Sequence, residues 1–122
     1  MATNQKILIC DGEEDIRESL KLILGDHYDL ILTDSGEQCL ETLDRETSIG
    51  LVLLDIKMPK VNGLDALKSI KERHPGTNVI IITGYKSGET AVEDTKPGAA
   101  GYIVKPLKSE EILDRVGKSI KG

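Results

Sequence analysis

Two aspartates, a threonine and a lysine stand at the ends of four short aliphatic runs. Asp11 follows Lys6 to Cys10, and Asp55 closes the run Gly50 to Asp55 (GLVLLD). Thr83 closes Asn78 to Thr83, and Lys105 follows Ala100 to Val104. Carboxylates are hard oxygen donors that suit Mg²⁺, an ion that also bridges to phosphate oxygens. A hydroxyl and an ammonium supply hydrogen bonds and positive charge to those same oxygens. The set fits phosphoryl transfer, where positioning and charge neutralisation dominate. An aspartate can itself be the nucleophile and carry an acyl phosphate. Taken singly, each residue has a plainer reading as a helix cap, a turn former or a solvated lysine. Their joint placement at successive run ends carries the functional reading.

The elements that would position these residues alternate along the chain. Lys6–Cys10 reads as a strand buried on both faces, because it is apolar almost throughout. Asp15–Leu24 then sets Ile16, Leu20, Ile23 and Leu24 at helical spacing, with Arg17, Glu18 and Lys21 expected outward, and Gly25 closes the helix. Tyr28–Thr33 is predicted as the second strand. Ser35-Gly36-Glu37-Gln38 has the form of a capping box before a helix bearing Leu40 and Leu43. After the third strand, Met58–Gly63 is rich in turn residues. Leu64, Leu67 and Ile70 mark a third helix that stops at His74-Pro75-Gly76.

Asn78–Thr83 and Ala100–Val104 are the fourth and fifth strands. A last helix is expected over Ser109–Ile120, with Ser109 as its N-cap, Glu110 and Glu111 at its positive end, and Ile112, Leu113, Val116 and Ile120 on one side. Between these strands a short, frayed helix is predicted over 89–95, because Pro97 clashes with a preceding helical turn and biases Lys96 away from helical angles. Five strand–helix alternations predict an α/β chain with a parallel sheet covered on both faces. In such sheets ligands bind beyond the carboxyl ends of the strands, where strand order reverses. That is the edge on which Asp11, Asp55, Thr83 and Lys105 would converge.

Composition narrows the classes of function. The 122 residues suit one domain, 1–122, with one hydrophobic core, and there is no repeat, linker or low-complexity tail. Three Tyr are the only aromatics besides two His, so stacking platforms for single-stranded nucleic acid are not available. The formal net charge of -5 repels a phosphate backbone, which argues against direct nucleic-acid binding. No run has the length of a signal peptide core or a membrane span, so a cytoplasmic location is expected. Cys10 and Cys39 form no C-x-x-C and are expected to be free buried thiols.

Across essentially its whole length the chain resembles the receiver domain of two-component response regulators. The resemblance is carried by Ile7-Leu8-Ile9-Cys10-Asp11, Asp55-Ile56-Lys57-Met58-Pro59 with Gly63, Thr83-Gly84, and Lys105-Pro106. It implies a flavodoxin-like (βα)5 three-layer sandwich with parallel strand order 2-1-3-4-5. It implies that Asp55 accepts a phosphoryl group from a sensor histidine kinase or phosphotransfer protein. Mg²⁺ would be held by Asp11, Asp55 and the backbone carbonyl of Lys57. Thr83 would hydrogen-bond the phosphoryl group, Lys105 would pair with it, and the Lys105–Pro106 bond would be cis. Thr83 and Tyr102 would form the switch, reshaping the face made by the helix over 89–95, the fifth strand and the last helix. That face would meet an effector domain, a downstream protein or a second copy of the chain. Such a protein is a phosphoacceptor switch rather than an enzyme, and no effector domain is expected within 1–122.

The chain departs from this pattern at Gly12, where the family usually has a second acid that ligates the metal. The Gly12 backbone and the Glu13 side chain are the candidates for that lost ligand, and weak Mg²⁺ binding with slow phosphorylation is expected. Leu107 replaces the usual phenylalanine, and Gly117 inside the last helix should cost about 1 kcal/mol relative to Ala. Two other readings compete with the phosphoacceptor. One is a pseudo-receiver, a protein-interaction module signalling without phosphate, which Gly12 favours. The other is a flavin carrier on the same fold, which the acidic loop Asp11-Gly12-Glu13-Glu14-Asp15 opposes by repelling phosphate.

Overall fold

The strands are built from aliphatic residues that alternate between two helical layers. In the computed structural model, residues 5–46, 48–56, 63–84 and 99–120 are described. Expectations for Lys57, the turn residues 58–62, the Leu64 side chain, the helix over 89–95 and Pro97 fall outside them. Strands β1 (Lys6–Cys10), β2 (Asp29–Thr33), β3 (Ile49–Asp55), β4 (Asn78–Thr83) and β5 (Gly101–Val104) form one parallel sheet in the order β2-β1-β3-β4-β5. Helices α1 (Glu14–Leu24), α2 (Gly36–Arg45), α3 (Gly63–Arg73) and α4 (Ser109–Ser119) cover its two faces.

The period-2 geometry of a strand sends successive side chains to opposite faces. Ile7, Ile9, Leu51, Leu53, Ile80, Ile82 and Ile103 pack with Leu20 and Leu24 of α1 and Ile112 and Val116 of α4. Leu8, Cys10, Val52, Leu54, Val79 and Ile81 pack with Cys39 and Leu43 of α2 and Ala66, Leu67 and Ile70 of α3. Both core layers are thus filled by the same five strands, which is why the strands are nearly continuous in apolar character.

Local signals set the start of α2 and the end of α1. Ser35 Oγ accepts from the Gln38 amide at 3.2 Å, and Gln38 Oε1 accepts from the Asp34 amide at 3.2 Å. The reciprocal cap is present, reaching one residue further back than the usual box. The Gly25 amide donates to the Lys21 carbonyl, and a Cβ on Gly25 would lie only 2.6 Å from that oxygen, so the end of α1 needs glycine for close approach. Its backbone is right-handed, φ −62°, rather than a left-handed cap.

Four expectations need correction. Lys108, in extended conformation, is the residue before α4, and Ser109 is already helical, so the serine does not cap. Leu113 is 36% exposed, because it lies at the border of the face that Ile112 and Val116 bury. Ile120 follows the helix instead of ending it, though it still packs against the core. Arg17 does not simply face water: its Nη1 reaches back to the Asp11 carbonyl at 2.7 Å.

Candidate functional site

Strand register brings the polar residues together. Cys10 lies opposite Leu54 and Asp55 opposite Ile82, so Asp11, just past β1, falls beside the end of β3. Thr83 lies opposite Val104, and the Lys105 amide donates to the Thr83 carbonyl at 2.8 Å. The edge between β1 and β3 is where strand order reverses. Asp11, Asp55 and Thr83 are buried. The Lys105 side chain is 17% exposed and enters this group from the end of β5.

Lys105 Nζ is 3.6 Å from Asp11 Oδ2, 3.6 Å from Asp55 Oδ2 and 3.0 Å from Glu13 Oε1. Carboxylate oxygens of Asp11, Glu13 and Asp55 all lie within 4.8 Å of one another, a grouping that could hold a metal ion. Among the described residues, therefore, one ammonium stands against three carboxylates. Asp11 Oδ2 is buried and takes no hydrogen bond among the described residues. Hard oxygen donors with surplus negative charge and an orphaned buried oxygen fit a divalent cation such as Mg²⁺.

Glu13 enters through a local turn. Its amide donates to Asp11 Oδ1 at 2.8 Å, a side-chain-to-backbone bond of the Asx type that folds the chain back over the carboxylate. The side chain of Glu13, 64% exposed, is thereby carried to the same edge as Asp55. Glu14, the other acid near Gly12, begins α1 instead.

Electrostatics follow from this crowding. Burial pushes the Asp11 carboxyl up from 3.8 to about 6; the Glu13 amide pulls it down, and the nearby Asp55 pushes it up again. Burial pulls the Lys105 ammonium down, but the Glu13 hydrogen bond and the charges of Asp11 and Asp55 outweigh it, so the net shift is upward.

Thr83 Oγ1 makes a long 3.4 Å contact to the Gly84 carbonyl. Tyr102 is half-buried against the α2–α3 layer, and its hydroxyl is buried with no hydrogen-bond partner among the described residues. The Lys105–Pro106 bond is cis, as the resemblance implied. Cys10 and Cys39 are free, buried and in the same cluster, on the sheet face opposite the packing of Leu53 and Ile9. Burial first, and the Cys39 thiol next, push the Cys10 thiol well above its usual range.

Over residues 7–117 the chain matches the family model described as the response regulator receiver domain. It is 36% identical over 119 residues to the response regulator protein FleR of Pseudomonas aeruginosa, covering 96% of this chain and 25% of that protein. It is 38% identical over 118 residues to the transcriptional regulatory protein ZraR of Escherichia coli, covering 96% of this chain and 26% of that protein. The chain thus spans about a quarter of the length of these relatives. Among solved structures it is similar to a response regulator receiver domain protein from Clostridium thermocellum, with a TM-score of 0.87 and 32% identity over 95% of this chain and 94% of the other.

Proposed function

This chain belongs to the response regulator receiver domain family, and from that premise we propose that Asp55 accepts a phosphoryl group from a phosphohistidine of a sensor histidine kinase or phosphotransfer protein. A carboxylate oxygen of Asp55 attacks phosphorus, the N–P bond breaks, and the departing imidazole recovers a proton. The observation that carries this reading is the convergence of Asp11, Asp55 and Lys105, with 3.6 Å from Nζ to Oδ2 of each aspartate.

Roles follow from position. Asp11, Asp55 and the Lys57 carbonyl would hold Mg²⁺, with Glu13 in place of the acid missing at Gly12, and the ion would supply positive charge that offsets the carboxylates and the incoming phosphoryl group. Lys105 pairs with one phosphoryl oxygen, and Thr83 donates its hydroxyl to another. Tyr102 then responds to the displaced threonine. Its hydroxyl is buried and has no hydrogen-bond partner among the described residues, which leaves that oxygen available to a rearranged neighbour. The reshaped face around β5 and α4 would meet an effector domain, a downstream protein or a second copy, in the cytoplasm. Beyond Gly12, no observation favours a phosphate-independent interaction module.

The test uses acetyl phosphate and Mg²⁺ with intact-mass detection. The wild type should gain one phosphoryl group, while Asp55→Asn and chelated samples should not. Equal labelling of Asp55→Asn would refute the assignment.

A further inference from the structure

Glu13 holds a carboxylate with two competing uses. Its Oε1 lies 3.0 Å from Lys105 Nζ, nearer than the 3.6 Å that separates Nζ from Asp55. The same side chain lies in the cluster with Asp11 and Asp55. Asp11 is fully buried, and its Oδ2 takes no hydrogen bond among the described residues. Gly12 itself has no side chain and could reach the cluster only through its backbone.

We propose that Glu13 is an exchangeable ligand: without a divalent cation it holds the Lys105 ammonium, and with one it passes to the cation and releases Lys105 toward the phosphoryl oxygens. This rests on Asp55 being the phosphoacceptor beside a cation. Glu13 is suited to the exchange because it is 64% exposed and flexible, whereas Asp11 and Asp55 are buried. An ion pair with one end so exposed is weak, so breaking it costs little. Lys105 cannot follow Glu13 freely, since its backbone is pinned to Thr83 and its stem is mostly buried. The consequence is specific to this loop. A carboxylate on residue 12 would ligate without touching Lys105, whereas Glu13 couples cation binding to the freedom of the lysine.

The test follows the Lys105 εCH₂ resonance by ¹H–¹³C NMR during Mg²⁺ titration, assigned by its loss in Lys105→Met. In the wild type the resonance should shift and saturate with cation binding. In Glu13→Gln it should begin near the saturated wild-type position and move little, while backbone amides of the site report cation affinity weakened by about tenfold or more. In Glu13→Gln combined with Gly12→Asp, affinity should return but the Lys105 response should not. That double variant separates ligand exchange from the bare field of the cation. Wild-type cation affinity in Glu13→Gln, or a Lys105 resonance that responds fully in the double variant, would overturn the proposal. Acetyl-phosphate labelling of Asp55 alongside either result would leave the receiver reading standing and remove only the exchange. Absence of cation binding by the wild type would remove both.

Discussion

Lys105 Nζ stands 3.6 Å from Asp55 Oδ2, although the two residues lie at the ends of strands separated by β4. Parallel register is what closes this gap, since Asp55, Thr83 and Lys105 each come at the carboxyl edge of their strand. The ammonium is thereby placed where a phosphoryl group on Asp55 would need positive charge.

Gly12 gives the acidic loop no side-chain ligand at the position after Asp11. Gly12→Asp should tighten Mg²⁺ by about tenfold or more, read by calorimetric titration, because a further hard donor joins Asp11, Glu13 and Asp55. In chelator the same variant should be less stable than the wild type, since a fourth carboxylate then adds repulsion to Asp11, Glu13 and Asp55 with no added positive charge. Unchanged affinity would mean that residue 12 does not reach the cation.

Asp11 makes the metal-free protein sensitive to acid in an unusual direction. Its folded pKa, near 6, lies above the unfolded value of 3.8. The folded state therefore binds the extra proton between those values, and stability is lost as pH rises through that window. A shift of this size corresponds to roughly 2–3 kcal/mol. In chelator, urea unfolding of the wild type and Asp11→Asn should show the wild type losing ground to the variant from pH 4 to pH 6. A constant difference across that range would contradict the burial argument.

Packing predicts contrasting responses to leucine truncation. Leu53 is fully buried between α1 and α4, so Leu53→Ala should cost about 2–5 kcal/mol in urea unfolding. Leu22 is 82% exposed on α1, and Leu22→Ala should change stability by less than about 0.5 kcal/mol.

Gly117 offers a gain. It lies inside α4, and a Cβ there would meet no heavy atom within 4 Å among the described residues. Gly117→Ala should raise stability by about 1 kcal/mol, measured as a shift in urea midpoint without a change in slope.

The strands were legible in the sequence because burial on both faces leaves a continuous aliphatic signal, as in Leu51–Leu54 and Val79–Ile82. The strand order was implied by the family resemblance, and the edge on which Asp11, Asp55, Thr83 and Lys105 meet by their placement at successive strand ends. Glu13 was only one of two candidates, since nothing in composition says which way an exposed glutamate points. The available signal was the Asp-x-Glu spacing, which permits the Asx turn that folds Glu13 back. Arg17 was read outward from helical periodicity alone, yet its long side chain reaches the Asp11 carbonyl beyond the helix end. Ser109 was a reasonable cap by type, but the chain enters α4 one residue earlier, so backbone conformation at Lys108 decides the boundary. The proximity of Cys10 to Cys39 is tertiary, and no local spacing announces it.

The central claim is that Asp55 carries the phosphoryl group. After incubation with acetyl phosphate and Mg²⁺, borohydride reduction converts an aspartyl phosphate to homoserine, and peptide mapping finds the converted residue. Homoserine at position 55 alone, absent when the protein is chelated, is the predicted result. Homoserine at Asp11 or elsewhere, or none in a sample that has gained phosphoryl mass, would contradict the account.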